Sequence, residues 1–447
     1  MKSFPIGGVH PPASKLSSGA AIERMALPAV VNIPLSQHIG APAAAVVAKG
    51  ERVVTGQLIA EATGFMSANI HSSVSGTVAS IDMVVNGQGL RQPMISIKVD
   101  SEAEVWAEGI DTSDEIISEC TLSSKEILER IKAAGIVGMG GATFPTHVKL
   151  SIPPGKKAEF LIINGVECEP YLTSDHRTML ERGEEIMLGV AILMKAIDVK
   201  TAYIGIENNK PDAISHMKSL ASKHQGVEIV PLKTQYPQGG EKQLIAAVCG
   251  RQVPPPPALP IDVGAVVSNV SSALAVYEAV QKGKPLIERV VTITGKSIKT
   301  PKNVIARVGT PISALIEYAG GLPEDAGKVI NGGPMMGRAM VNLDAPVTKG
   351  CSGITILSGD EAKRDEASAC IKCAKCVTVC PMALEPYLLS KQARTGKWEQ
   401  LEEDCVTHCI ECGSCQYTCP AQLPLLDYIR IGKQRVMSII RSRAVAK

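Results

Sequence analysis

The feature that most restricts this chain is a pair of cysteine runs near its end, CIKCAKCVTVCP at residues 370–381 and CIECGSCQYTCP at 409–420. Each reads C-x2-C-x2-C-x3-C-P, with Cys370, Cys373, Cys376 and Cys380 before Pro381, and Cys409, Cys412, Cys415 and Cys419 before Pro420. Three thiolates so spaced can wrap one face of a cube of iron and sulfur, and the fourth corner must be reached from a distant segment. In two-cluster ferredoxins with this spacing the fourth cysteine of each run ligates the other cluster. The pattern therefore assigns Cys370, Cys373, Cys376 and Cys419 to one 4Fe-4S cluster, and Cys409, Cys412, Cys415 and Cys380 to the second. Structural zinc is the competing use of such thiols, but zinc sites usually pair two C-x2-C units across a longer gap. Cys120, Cys168, Cys249, Cys351 and Cys405 fall outside the pattern and read as small buried residues. Between the runs, MALEPYLLSKQARTGKWEQLEED sets Leu384, Leu388, Leu389 and Leu401 at helical spacing, so the clusters are expected in a small helical module.

A double cluster passes single electrons and performs no bond chemistry alone, so a donor or acceptor site is expected elsewhere in the chain. At 447 residues the chain is too long for one core, and roughly two to four domains are expected. Lys plus Arg number 46 against 44 for Asp plus Glu, which leaves no global field for nucleic acid or acidic lipid. Aromatic residues are only 3%, so stacking surfaces for single strands are scarce. Eight of the thirteen cysteines sit in the metal-spaced runs, which suits a reducing compartment better than a disulfide scaffold. The apolar run IMLGVAILM, 186–194, stops at Lys195 and is far short of the roughly 20 residues that span a bilayer. The opening MKSFPIGGVHPPASK has no apolar core of signal-peptide length. The expectation is a chain that stays in the cytoplasm, free or docked to something.

The candidate donor site begins in AGIVGMGGATFPTHVKL, residues 134–150. Gly135, Gly138, Gly140 and Gly141 permit close backbone approach, and Lys149 supplies a cation for a phosphate or carboxylate. Neither G-x-G-x-x-G nor G-K-[ST] can be read there, and by itself the loop is equally a tight structural turn. In AEFLIINGVECEPYLTSDHR, 158–177, an apolar strand from Phe160 to Ile163 runs into Asn164, Glu167 and Glu169. Open α/β sheets bind ligands beyond the carboxyl ends of their strands, which is where these side chains would stand; a solvated loop is the plainer alternative. Two more strands end alike, AYIGIENNK at Glu207 and Asn208, and AVVSNVSSALAV at Asn269 and Ser271.

GMGGATFPTHVK resembles the flavin loop of the NADH-binding flavoprotein of respiratory complex I, and NGVECEP resembles its Asn-x-x-Glu-x-Glu segment. With the opening FPIGGVHPP, residues 4–12, and the two cysteine runs, nearly the whole chain resembles the RnfC family, the C subunits of the Rnf ion-translocating ferredoxin:NAD oxidoreductases. The resemblance implies FMN in a pocket made by Gly138, Gly140, Gly141, Lys149, Asn164, Glu167 and Asn269. It sets Phe144 and Glu169 at positions used for NADH, and Glu207 at an acidic strand end. Met139 replaces a loop Arg of the complex I motif, and Ser268 the first Asn of an Asn-Asn pair. The implied fold class is multidomain α/β plus β. It comprises a barrel-sandwich amino-terminal module, a Rossmann-like FMN/NADH domain, a soluble-ligand-binding β-grasp (SLBB) module and a helical double-cluster ferredoxin module.

The boundaries expected are an arm at 1–30, the barrel-sandwich at 31–100, the FMN/NADH domain at 101–285, the β-grasp module at 286–350, the cluster module at 351–430 and a basic tail at 431–447. VVAKGERVVTGQLIA and IHSSVSGTVASI resemble the halves of a lipoyl barrel-sandwich, yet no Lys occurs from 50 to 97, and Phe65 and Met66 stand about where a carrier lysine would. The module is therefore read as structural. VTITGKSIKTPKNVIARVGTPISALIEYAGG followed by NGGPMMG resembles the β-grasp module, and VPPPPALP reads as a stiff polyproline loop. The tail carries Arg430, Lys433, Arg435, Arg441, Arg443 and Lys447 without an acid, either as a solvated helix end or as a surface for a membrane partner or anionic headgroups.

Family membership would make this a peripheral oxidoreductase subunit at the cytoplasmic face of the bacterial membrane. It would exchange electrons between NAD(H) and ferredoxin through FMN and two 4Fe-4S clusters. Its partners would be the membrane and ferredoxin-like subunits of the complex and NADH, with no nucleic acid; Na+ or H+ movement would belong to the whole complex. Two alternatives stand beside this. One is a cobalamin reductase-like flavin and iron-sulfur enzyme, against which residues 1 to 100 speak. The other is a non-catalytic electron-relay scaffold with an empty nucleotide pocket.

Overall fold

The computed structural model describes residues 1–101 and 103–445; Lys447, counted above with the basic tail, lies outside the described residues. The amino-terminal arm forms no sheet of its own and straps two modules together. Val9 exchanges backbone hydrogen bonds with Tyr236, at 2.8 and 2.9 Å, and Ile22–Arg24 then pairs in parallel with Asn303, Val304 and Ile305.

The next module is a sandwich of two sheets. One has Val30–Pro34, Arg91–Val99, Gly76–Val85 and Arg52–Val53 in that order, and the other has Ala44–Ala45, Leu58–Glu61 and Ile70–His71. Period-2 patterning sends Val31, Ile33, Val53, Ile95 and Ile97 into its interior, with Ile59 and Ile70 opposite. The hairpin tip carries Phe65, 66% exposed, whose carbonyl meets His147 Nε2 at 3.2 Å and whose ring stands edge-on to the His147 ring. The position of a carrier lysine is thus occupied by an aromatic residue docked on the helix Thr146–Leu150.

A four-stranded parallel sheet forms the third module, ordered Val227–Leu232, Ala202–Glu207, Phe160–Asn164, Ala265–Asn269. Its central strand is apolar on both faces because helices cover both. The run 186–194 lies in one of these, Gly183–Ala196, in which ten of fourteen residues are buried, so it is a core helix. Gly189 lets it press against the helix Val270–Gln281: a Cβ there would stand 1.9 Å from Ala273 O.

The β-grasp sheet has six strands, in the order Ile22–Arg24, Lys302–Arg307, Glu288–Thr294, Gly353–Ser358, Ala326–Asn331, Arg338–Ala339. Here the structure differs from the boundary at 351. Gly353–Ser358, an apolar strand buried over its first four residues, pairs with Glu288–Thr294 and completes this sheet. The cluster module follows it, as short helices packed on the long helix Leu425–Val445 through Leu389, Leu401, Ile429 and Val436. That helix runs through the expected boundary at 430, so the tail is a continuation of the module's core. Arg430 and Lys433 both pair with Glu411, Lys433 also reaches Cys409 O, and Arg443 pairs with Glu402. Among the described residues, three of the five basic side chains from Arg430 onward are therefore engaged inside the chain. Among the described residues no helix is long and apolar enough to cross a membrane.

Candidate functional site

In the parallel sheet the chain steps from the Asn164 strand outward to the Glu207 and Leu232 strands, then returns on the opposite side as the Asn269 strand. The winding reverses between Asn164 and Asn269, which are register partners at the strand ends. Such a switch point opens a crevice at the carboxyl edge of an α/β sheet. Asn269 caps the helix Val270–Gln281 through Oδ1, while its Nδ2 donates to Asn164 O at 3.2 Å and Asp175 Oδ2 at 2.7 Å. The glycine loop lies over this edge. Gly138 N donates to Phe144 O at 2.9 Å and closes the loop, and Met139 N donates to Ser272 Oγ at 2.9 Å. Gly140 must lack a side chain, because a Cβ would meet Asn269 Nδ2 at 2.6 Å; one on Gly141 would face open space. Among the described residues the amides of Gly140, Gly141 and Ala142 meet no protein acceptor. Lys149 Nζ donates to Val267 O and to Glu241 Oε1, both at 3.0 Å. Free amides beside an ammonium make a cradle for an anion.

The acidic segment is placed less directly. Glu167, with φ +47°, accepts from Asp175 N and His176 N at 2.8 and 3.2 Å, so its carboxylate tops the helix Ser174–Glu181. Burial raises the pKa of Asp175, as does the nearby Glu167, and hydrogen bonds from Ser271 and Asn269 oppose the rise. Glu169 accepts from Met335 N and Met336 N at 3.1 and 2.7 Å; burial pushes its carboxyl up to about 7. Glu207 is buried with Lys210 at 3.6 Å and accepts from Gln235 N. Burial raises its pKa and the Lys210 charge opposes the rise. Phe144 is half-buried beside the loop. The structure thus gathers Gly138, Gly140, Gly141, Lys149, Asn164 and Asn269 at one crevice, with Glu167 joined to them through Asp175. Glu169 and Glu207 are engaged by other partners.

Cys380, Cys409, Cys412 and Cys415 line one pocket together with Pro381, Leu384, Ile410, Leu426 and Ile429. This is the crossed set, with Cys380 from the first run. Burial pushes the Cys409 thiol up to about 11, and charge on Cys412 and Cys380 adds to that. Bound iron would hold these thiols as thiolates and offset that cost. On the far side burial raises the Cys376 thiol, with charge on the nearby Cys419 adding to the rise, while Cys370 and Cys373 are exposed. One segment joins crevice and clusters. Asn164 Nδ2 donates to Gly239 O and Lys149 meets Glu241, while Tyr236 OH donates to Cys412 O at 2.8 Å and Gln243 Nε2 to Pro381 O at 3.2 Å.

Comparison with known proteins supplies the family. Over 406 residues the chain is 48% identical to the C subunit of the proton-translocating ferredoxin:NAD(+) oxidoreductase complex of Clostridium ljungdahlii, covering 90% of this chain and 87% of that protein. It is 43% identical to the Na(+)-translocating counterpart of Acetobacterium woodii, covering 97% of each. With the C subunit of the ion-translocating oxidoreductase complex of Rhodobacter capsulatus it shares 43% identity over 98% of this chain and 84% of that one. The chain belongs to the RnfC family, the C subunits of ion-translocating ferredoxin:NAD(+) oxidoreductase complexes. Within this RnfC-family chain, residues 3–102 match the RnfC barrel sandwich hybrid domain, 131–278 the Nuo51 FMN-binding domain, 290–339 the SLBB domain and 362–420 a 4Fe-4S dicluster domain. It is an oxidoreductase subunit built around FMN and iron-sulfur chemistry, and the cobalamin reductase-like alternative gives way to it. The anion cradle of Gly140, Gly141, Ala142 and Lys149 fits the phosphate of FMN, and the four-thiol cavity fits a cluster.

Sequence reading missed three contributors to the RnfC site. Tyr236 to Gln243 was passed over, although YPQGGEK sets Gly-Gly-Glu at the start of the helix Glu241–Cys249 just after a strand. Arg289, buried on the β-grasp sheet, donates to Met139 O at 3.4 Å and brings a cation behind the loop that itself carries Met in place of Arg. Lys15 gave no signal beyond its place in the opening stretch.

Proposed function

We propose that this RnfC-family chain is the NAD(H)-facing member of its complex, with FMN in the switch-point crevice and 4Fe-4S clusters in both crossed cysteine sets. FMN exchanges two electrons with a nicotinamide and one at a time with a cluster, which is the chemistry the site needs. The chain contributes position and charge. Gly140, Gly141, Ala142 and Lys149 hold the phosphate, Asn164 and Asn269 present polar groups at the sheet edge, and Glu167 fixes the turn beside them. Phe144 and Glu169 stand for the nicotinamide side, with Glu207 further along the strand ends. Cys380, Cys409, Cys412 and Cys415 hold the cluster nearest the crevice; Cys370, Cys373, Cys376 and Cys419 hold one at the surface, where a partner protein can take or give electrons. Docking to the membrane and ferredoxin-like subunits at the cytoplasmic face leaves the moved ion, Na+ or H+, to those partners.

The observation that carries this reading is the segment 236–243, which touches Asn164 and Lys149 through Gly239 and Glu241, and Cys412 and Pro381 through Tyr236 and Gln243. Anaerobic addition of NADH to the purified, FMN- and iron-reconstituted protein tests it. The flavin absorbance should bleach and cluster EPR signals should follow. Iron-replete protein whose flavin NADH leaves oxidised would favour the relay-scaffold reading instead.

A further inference from the structure

The amino-terminal arm carries one half-buried cation that the electron-transfer reading does not use. Lys15 Nζ donates to Glu167 O at 2.9 Å, to Glu169 O at 2.9 Å and to Leu172 O at 2.6 Å. An ammonium has three protons, and all three go to main-chain carbonyls of one turn. Among the described residues no carboxylate lies within ion-pair distance of it. A charge drawn partly out of water without a counter-ion costs free energy, so its geometry must be held from outside. The arm supplies that hold: Tyr171 N donates to Ala13 O at 2.9 Å, Ser17 Oγ meets Thr173 Oγ1 at 2.6 Å, and the Val9–Tyr236 ladder fixes the chain upstream.

The turn it grips needs such a clamp. Glu167 and Tyr171 have φ of +47° and +72°, a conformation L-residues disfavour. From there a chain of contacts leads to the crevice. Glu167 holds Asp175 N, the Asp175 carboxylate accepts from Asn269 Nδ2 and Ser271 Oγ at 2.7 Å each, and Asn269 sits directly under Gly140. We propose that Lys15 is a positioning residue of the flavin crevice, its ammonium setting the Glu167–Leu172 turn and, through Asp175 and Asn269, the floor under the glycine loop. This rests on the reading of the crevice as the FMN site and makes the amino-terminal arm part of it.

A protonated clamp has a pH signature. Burial lowers the pKa of Lys15 to about 8, with the Lys210 charge adding to the fall and Glu167, Glu207 and Cys168 opposing it. The other groups facing the same space are Glu169, joined to Lys15 through its carbonyl, and His10 and Tyr236, which with Lys15 line a neighbouring pocket. Above pH 8 the amine would keep two protons for three carbonyls and the clamp would loosen. Arginine stays charged throughout, so Lys15→Arg separates charge from bulk.

The test uses full-length, iron-loaded protein and FMN itself as the probe, with the dissociation constant read from quenching of flavin fluorescence between pH 7 and 9.5. Wild-type FMN affinity should fall about tenfold across that range, Lys15→Arg should show a flat profile, and Lys15→Met should be weakened about tenfold already at pH 7 with cluster EPR unchanged. Superimposable profiles for wild type and Lys15→Arg would overturn the proposal even if Lys15→Met fails to fold. So would a Lys15→Met protein with wild-type affinity. Wild-type protein that takes up no FMN at any pH would sink the flavin reading itself, whereas tight FMN binding with identical profiles sinks only the role of Lys15.

Discussion

Lys149 gives two of its three protons to Val267 O and Glu241 Oε1, which leaves one for an anion above the amides of Gly140, Gly141 and Ala142. A hydrogen bond to a charged group is worth about 1.5–3 kcal/mol, so Lys149→Ala should weaken FMN about ten- to a hundredfold. Equilibrium dialysis of FMN checks this, with both cluster EPR signals retained as evidence that the rest has folded. At this scale glycine, asparagine and lysine were legible, because a residue with no side chain or with a fixed charge means much the same wherever it sits. Glu169 was legible only in part. Its strand-end position suggested a ligand contact, and the fold adds that its carboxylate accepts the amides of Met335 and Met336, from a loop far away in sequence.

Elements reverse the balance between what spacing tells and what it hides. The cysteine runs prescribe crossed ligation, and Cys380 standing with Cys409, Cys412 and Cys415 around one cavity agrees with that prescription. Cys419→Ser should therefore abolish the EPR signal of the surface cluster held by Cys370, Cys373 and Cys376 while leaving that of the buried one; loss of the buried signal instead would mean uncrossed ligation. Two element assignments went otherwise. Gly353–Ser358 looked like the lead into the cluster module, yet its apolar face is buried by pairing with Glu288–Thr294. The basic tail looked like an appendage, yet Val436 is fully buried and Lys433 holds Cys409 O, so the same helix both displays charge and closes the module.

Across the whole molecule the modules are held together by a few buried polar contacts. Lys349, fully buried, bridges Asn69 O of the barrel-sandwich and Gly135 O before the flavin loop at 2.7 and 2.8 Å. Glu169 ties the flavin segment to the Gly333–Met336 loop, which in turn touches Gly413 beside the buried cluster set. Because the folded pKa of Glu169 is raised from 4.5 to about 7, the folded state binds its proton more tightly than the unfolded state does between those values. Because burial disfavours the ionised carboxylate, and the two amides offset this only in part, folding stability falls as pH rises from 4.5 through 7, by about 1–3 kcal/mol in all. Urea unfolding at pH 5.5 and 8 should show this slope in wild type and lose it in Glu169→Gln.

What the sequence by itself determined is chemistry set by short spacing: two runs of four metal-spaced cysteines, a glycine loop followed by a lysine, and a barrel-sandwich without a carrier lysine. Those signals survive in one dimension because the chain must supply the ligands within a few residues of one another. Only the tertiary structure decided that Tyr236 to Gln243 joins the crevice to the clusters, that the arm places Lys15 under the acidic turn, and that Glu169 faces the β-grasp loop. Each of these is a contact between segments that are distant in sequence, and the hydrogen-bonding partner of a buried polar group is fixed by packing, which no local pattern encodes.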